Sequence, residues 1–121
     1  MMFNGMFLVL IALFVKHWYI DFVNQSDDEV KGKGIYGNAH GIMHSLKHGV
    51  ATGIIFLFFV FNFELAVIFG FVDFVLHYHI DYCKMRFGNR DISTKAFWAQ
   101  LGLDQLAHSV TYIGLVWLLF L

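Results

Sequence analysis

Three histidines, His40, His44 and His48, recur every fourth residue just ahead of the apolar run 49–61. On a helix that interval stacks their imidazoles on one face, with a drift of about 40° per step. Imidazoles arranged in this way can ligate a metal ion or pass a proton. The same interval of four returns in His17-x-x-x-Asp21, in Asp73-x-x-x-His77-x-x-x-Asp81 and in Asp104-x-x-x-His108. Carboxylates alone in such numbers would repel one another. Mixed with imidazoles they form a nitrogen and oxygen donor set that suits Zn²⁺, and also Fe²⁺ or Mn²⁺. The candidate ligands are His17, Asp21, His44, His48, Asp73, His77, Asp81, Asp104 and His108. They outnumber one tetrahedral shell, so the set calls for two or more ions, or for one ion backed by histidine–carboxylate pairs. His79 sits about 200° around its helix from His77 and reads as an interfacial residue. His40 lies at the mouth of the ladder and reads as a surface residue.

Positioning these groups requires helices in a bilayer. Hydrophobic residues make up 59% of the chain and charged residues only 14%, far below the roughly one quarter usual for a soluble domain of this size. The net charge of −1 gives no basic face for nucleic acid, and the single Cys83 excludes an intrachain disulfide and a cysteine zinc cage. Residues 1–15 lack a basic leader and a small-residue cleavage site, which predicts a retained membrane helix. The expected architecture is all-α: one domain, residues 1–121, folded as a four-helix transmembrane bundle with spans near 1–23, 39–61, 65–82 and 94–121. Asn38 is expected to cap the second helix and Ser93 or Thr94 the fourth, with a tight turn at residues 62–64. Residues 24–38 read as a polar connector whose acidic run, Asp27 to Glu29, is solvated.

Lysine and arginine gather in residues 24–38 and 84–95, which should therefore lie on the cytoplasmic side of an inner membrane, with both termini on the opposite side. At about 1.5 Å per residue all four polar stripes then fall in the cytoplasmic half of the bilayer or at its boundary. An aspartate near the bilayer centre costs at least about 2.5–3.5 kcal/mol, so such residues turn inward and pair with one another or with an ion. Lys16 is expected to snorkel toward the headgroups. Lys47, Lys84 and Arg86 are candidates for holding a phosphate at the membrane surface. Trp18, Tyr19, Tyr78 and Tyr82 read as interface anchors, and Gly41, Gly49, Gly53, Gly70 and Gly102 as points of close helix approach.

The run His17 to Asp27, followed by His44-x-x-x-His48, Asp73-x-x-x-His77-x-x-Ile80-Asp81-x-x-Lys84 and Asp104-Gln105-x-x-His108, resembles an uncharacterised family of short bacterial and phage integral membrane proteins. The chain is more distantly similar to membrane-bound metal-dependent hydrolases, whose His and Asp helices are like those of the zinc-dependent phospholipase C group. That resemblance implies phosphoester hydrolysis on a phosphorylated or lipid-linked substrate, with a metal lowering the pKa of a water. The alternatives are a divalent-metal or proton carrier using the ladder as relay stations, and a non-catalytic metal- or haem-binding membrane protein. Residues 8–15, 54–61 and 109–121 offer almost no polar stations across the far leaflet, which favours a blind site over a conduction path.

Overall fold

The computed structural model describes residues 2–121, with side chains from Asn4 onward; Met1, where the first expected span begins, lies outside them. Among the described residues the chain forms five helices and no strands. Helix α1, Met2–Trp18, widens at its end into a π-helical turn, Tyr19–Val23. A short α2, Asp27–Lys33, follows, and then α3, Ala39–Val60, α4, Phe63–Phe87, and α5, Lys95–Leu119.

Side-chain oxygens satisfy the first amides of four helices, as backbone groups with no intrahelical partner require. Asn38 Oδ1 accepts from the His40 and Gly41 amides, Asn62 Oδ1 from Leu65 and Thr94 Oγ1 from Phe97. Ser26 and Glu29 form a reciprocal capping box on α2. The expected turn at residues 62–64 reduces to Asn62 as cap, since Phe63 and Glu64 already belong to α4. Helix α4, the third expected span, also runs beyond Tyr82, to Phe87.

The long helices enclose one bundle in the order α1, α3, α4, α5, and α2 lies across one end against α3 and α4. Helices α3 and α4 pack closest, because glycines remove the side chains between them. A Cβ on Gly49 would stand 2.7 Å from the Gly70 carbonyl oxygen, and one on Gly70 would stand 2.7 Å from that of Gly49. Gly41 meets Gly32 of α2 in the same way, whereas a Cβ on Gly102 would meet nothing, so that glycine is not a point of close approach.

One half of the interior is apolar: Val9 and Leu13 of α1, Phe56 of α3, Ala66 and Phe69 of α4, and Leu115 and Val116 of α5 are buried together. The outside is apolar as well, with Phe7, Ile11, Ile54, Phe58, Ile68 and Phe71 exposed. Among the described residues three helices are long and apolar enough to cross a membrane, Asn4–Val23, Ala39–Val60 and Phe63–Phe87, not the four expected. Helix α5 has the length but carries Gln100, Asp104, Gln105, His108 and Ser109 within residues 100–109. Its outer face is nevertheless apolar, with Leu103, Leu106, Val110, Ile113 and Trp117 exposed.

Candidate metal centre

The other half of the interior is built from the interval-four stripes. Helix periodicity places His44 and His48 on the inner face of α3, His77 and Asp81 on that of α4, and Asp104 and His108 on that of α5. The π turn after α1 carries Asp21 inward, a local widening of the kind often found at functional sites. All seven residues are buried, with His44, His48 and His77 completely so.

Among the described residues, ligand atoms gather in three overlapping groups, within each of which they lie no more than 4.8 Å apart: Asp21, His44, His48 and His77; His77, Asp81 and His108; and Asp21, Asp104 and His108. Four-coordinate ions hold donors at about 2.0–2.2 Å, so donors this close can share one ion after small movements. The imidazoles of His48, His77 and His108 stack through the centre, with centroids 3.6 Å and 3.9 Å apart. His44 and His48 bring Nε2 to 2.9 Å and 2.8 Å from Asp21 Oδ1. His108 Nε2 lies 3.0 Å from Asp81 Oδ1.

Two of the nine expected ligands stand outside these groups. Asp73 Oδ2 accepts from Lys16 Nζ at 2.9 Å and from Thr52 Oγ1 at 2.5 Å. His17 lies 2.8 Å from the Tyr112 hydroxyl through Nδ1 and 2.7 Å from Gln105 Oε1 through Nε2, with Asp21 Oδ2 3.2 Å away. His40 and His79 are exposed, and His79 Nε2 lies 2.9 Å from the Tyr36 hydroxyl.

Four lysines behave differently from surface cations. Lys16 does not snorkel: it is buried, and Asp73, Tyr112 and His48 Nδ1 surround its ammonium at 2.9–3.0 Å. Lys33, unsuspected in the connector, is buried beside Asp81, 3.4 Å away, and bonds Gln25. Lys47 reaches Glu29 at 2.5 Å, and Lys84 lies 3.7 Å from Asp104. Arg86 is exposed. The acidic run is therefore only partly solvated: Asp27 and Asp28 are exposed, but Glu29 is buried. Burial pushes the Glu29 carboxyl up, yet Lys47 and the Ser26 amide outweigh it and hold it below its ordinary value. Tyr78 is likewise no interface anchor: it is buried, and its hydroxyl accepts from the Gly37 amide at 2.6 Å.

The sequence carried signals for some of the missed partners. Thr52 continues the histidine ladder by one more step of four, and Tyr112 does the same after His108. Ser26-x-x-Glu29 is the spacing of a capping box. Nothing local marks Lys33, whose burial depends on α2 folding back over the bundle.

Over residues 9–121 the chain matches a family model described as "Protein of unknown function (DUF3307)". It belongs to the DUF3307 family. Neither curated proteins nor solved structures yield a significant match. Every candidate ligand lies within the span shared with DUF3307, and what these residues can do chemically has to be argued from their own geometry.

Proposed function

We propose that the protein is an intramembrane metal-binding protein, a metal-dependent hydrolase acting on a phosphorylated or lipid-linked substrate at the cytoplasmic face. The single observation that carries this reading is the convergence of seven buried imidazoles and carboxylates, supplied by four helices, into overlapping groups of ligand atoms. Burying so many ionisable groups in an apolar bundle is costly unless they pair or bind an ion.

Charge favours one ion over two. Asp21, Asp73, Asp81 and Asp104 are faced by the ammonium groups of Lys16, Lys33 and Lys84, leaving one negative charge if the imidazoles are neutral. One divalent cation leaves a single positive charge; two would leave three in a low-dielectric interior. The donor set suits zinc, with iron or manganese as close alternatives. When bound, such an ion polarises an ester and lowers the pKa of a water.

A groove of about 530 Å³ between α4 and α5 supports access from the bilayer. Leu76, Ile80, Phe87, Leu103 and Ala107 line its walls, and Lys84 and Asp104 also border it. An apolar chain fits such walls, with Lys84 placed for its phosphate; Arg86 is exposed on the same turn of α4. Residues 24–38 and 88–94 share one end, since a Cβ on Gly34 would stand 2.5 Å from Arg90 Nη2, and the lysines and arginines there, Lys31, Lys33 and Arg90 with Lys84, Arg86 and Lys95 on the flanking turns, support that end facing the cytoplasm. The exposed apolar stripe of α5 supports its lying in the bilayer with the other three helices.

The dry half of the interior argues against a carrier, which needs polar stations from face to face. Elemental analysis of detergent-purified protein, followed by turnover assays on a panel of lipid phosphates with metal stripped and restored, tests both parts. Metal-free protein would overturn the metal centre; stoichiometric metal without metal-dependent turnover would overturn the hydrolase alone.

A further inference from the structure

The hydrogen-bond directions sort the histidines into two kinds. An ammonium has three donors and no lone pair, and the three close partners of Lys16 are Asp73, Tyr112 and His48 Nδ1. His48 Nδ1 must therefore accept, which places the proton of the neutral ring on Nε2. That N–H donates to Asp21 Oδ1 at 2.8 Å. The Tyr112 oxygen accepts from Lys16 and so has its own proton free for His17 Nδ1, 2.8 Å away. His17 must then carry its proton on Nε2, which donates to Gln105 Oε1 at 2.7 Å. Gln105 in turn donates from its amide nitrogen to Asp104 Oδ2 at 3.0 Å. His44 donates from Nε2 to Asp21 Oδ1 at 2.9 Å and His108 from Nε2 to Asp81 Oδ1 at 3.0 Å, because a carboxylate has no proton to offer.

His77 is different. Both of its ring nitrogens are buried without a hydrogen bond, as are Asp81 Oδ2 and Asp104 Oδ1. His77 Nε2 and Asp81 Oδ2 come within 3.1 Å yet lack hydrogen-bond geometry, as expected of donors aimed at a common third point. Such orphaned groups are costly unless something satisfies them.

Building on the metal-centre reading above, we propose that the ion sits on the α4–α5 side, held by His77, Asp81 and His108, with His108 exchanging its bond to Asp81 for the ion, while His17, His44 and His48 are positioning residues. Two imidazoles and one carboxylate leave a coordination position open, the pattern of catalytic zinc sites, whereas Asp21, His44, His48 and His77 would form a closed, structural set. Asp104 shares a group of ligand atoms with His108 and borders the α4–α5 groove, so the proposed site and the groove adjoin at this residue.

The test is X-ray absorption and binding titration with Co²⁺ on the detergent-purified full chain. Wild type is expected to hold one Co²⁺ with two imidazoles. His48→Gln, whose amide can replace the Nε2 donor, should keep that count and bind within about tenfold of wild type, the lower range for outer partners of a metal site. His77→Ala and His108→Gln should each weaken binding by more than about 100-fold. Three or more imidazoles in wild type, or loss of one on His48→Gln, would overturn the assignment while leaving a metal centre in place. Wild type that binds no Co²⁺ would overturn the metal centre itself, and the assignment with it.

Discussion

The two halves of the bundle interior obey opposite rules. Around Leu13, Phe56 and Phe69 the side chains are apolar, and the Phe56 and Phe69 rings pack 4.7 Å apart. Around Asp21, His77 and Asp81 the same four long helices surround imidazoles, carboxylates and ammonium groups. Tyr112 marks the seam: its ring is fully buried with the apolar cluster, and its hydroxyl bonds Lys16 and His17. Both halves are buried, and the apolar half is stabilised by packing. The polar half depends on every charge having a partner. The difference teaches that packing in one half can be altered without touching the ionisable cluster in the other.

The sharpest way to break this comparison is Asp81→Ala, which removes a proposed ligand and the partner of Lys33 together. Ion binding should fall by more than about 100-fold, measured by titration, far more than for any substitution in the apolar half. Lys16→Met comes next, since it leaves Asp73 as a buried carboxylate without its cation. Unfolding in mixed micelles should show a loss of about 3–5 kcal/mol, much of it recovered when Asp73→Leu is added; no recovery would mean that Lys16 matters through His48 and Tyr112 instead.

Leu13→Ala should cost about 2–5 kcal/mol by leaving a cavity, with bound metal per chain unchanged. If it strips the ion, the halves are not separable. Gly49→Ala should cost about 1–3 kcal/mol, because its Cβ would meet the Gly70 carbonyl. Gly102→Ala, with open space around it, should instead stabilise by up to about 1 kcal/mol in the same unfolding assay.

The smallest effect concerns the end of the bundle. The Glu29 carboxyl is held below its ordinary value, so its contribution is fully present above about pH 4.3, the unfolded value, and is lost as pH falls through the lower folded one. Glu29→Gln keeps the capping spacing but removes the charge facing Lys47. It should cost no more than about 1 kcal/mol near neutrality and flatten the acid limb of a stability–pH curve.

The helices themselves were legible where capping and periodicity agree. Asn38 and Thr94 cap α3 and α5 as their positions before apolar runs imply. The short α2 was hidden because a seven-residue helix has too little periodicity to register, although its capping box was in view. The most apolar stretch of helix α5 is less apolar than those of the three candidate spans, because its inward polar stripe offsets its outward apolar face. In the site, spacing brought out the stripes that hold Asp21, His44, His48, His77, Asp81, Asp104 and His108. It could not separate Asp73, which sits one step along the same stripe as His77 but meets Lys16.

By itself the sequence determined which side chains share a helix face and that those faces must turn away from lipid, since both follow from one helix's geometry and the cost of exposing charge. Only the tertiary structure decided who meets whom: Lys16 with Asp73, Lys33 with Asp81, and His77 left without a hydrogen bond between two stacked rings. Those pairings depend on the rotation and depth of each helix against its neighbours. Contacts such as Gly49 on Gly70 set them, and no spacing within a single helix encodes them.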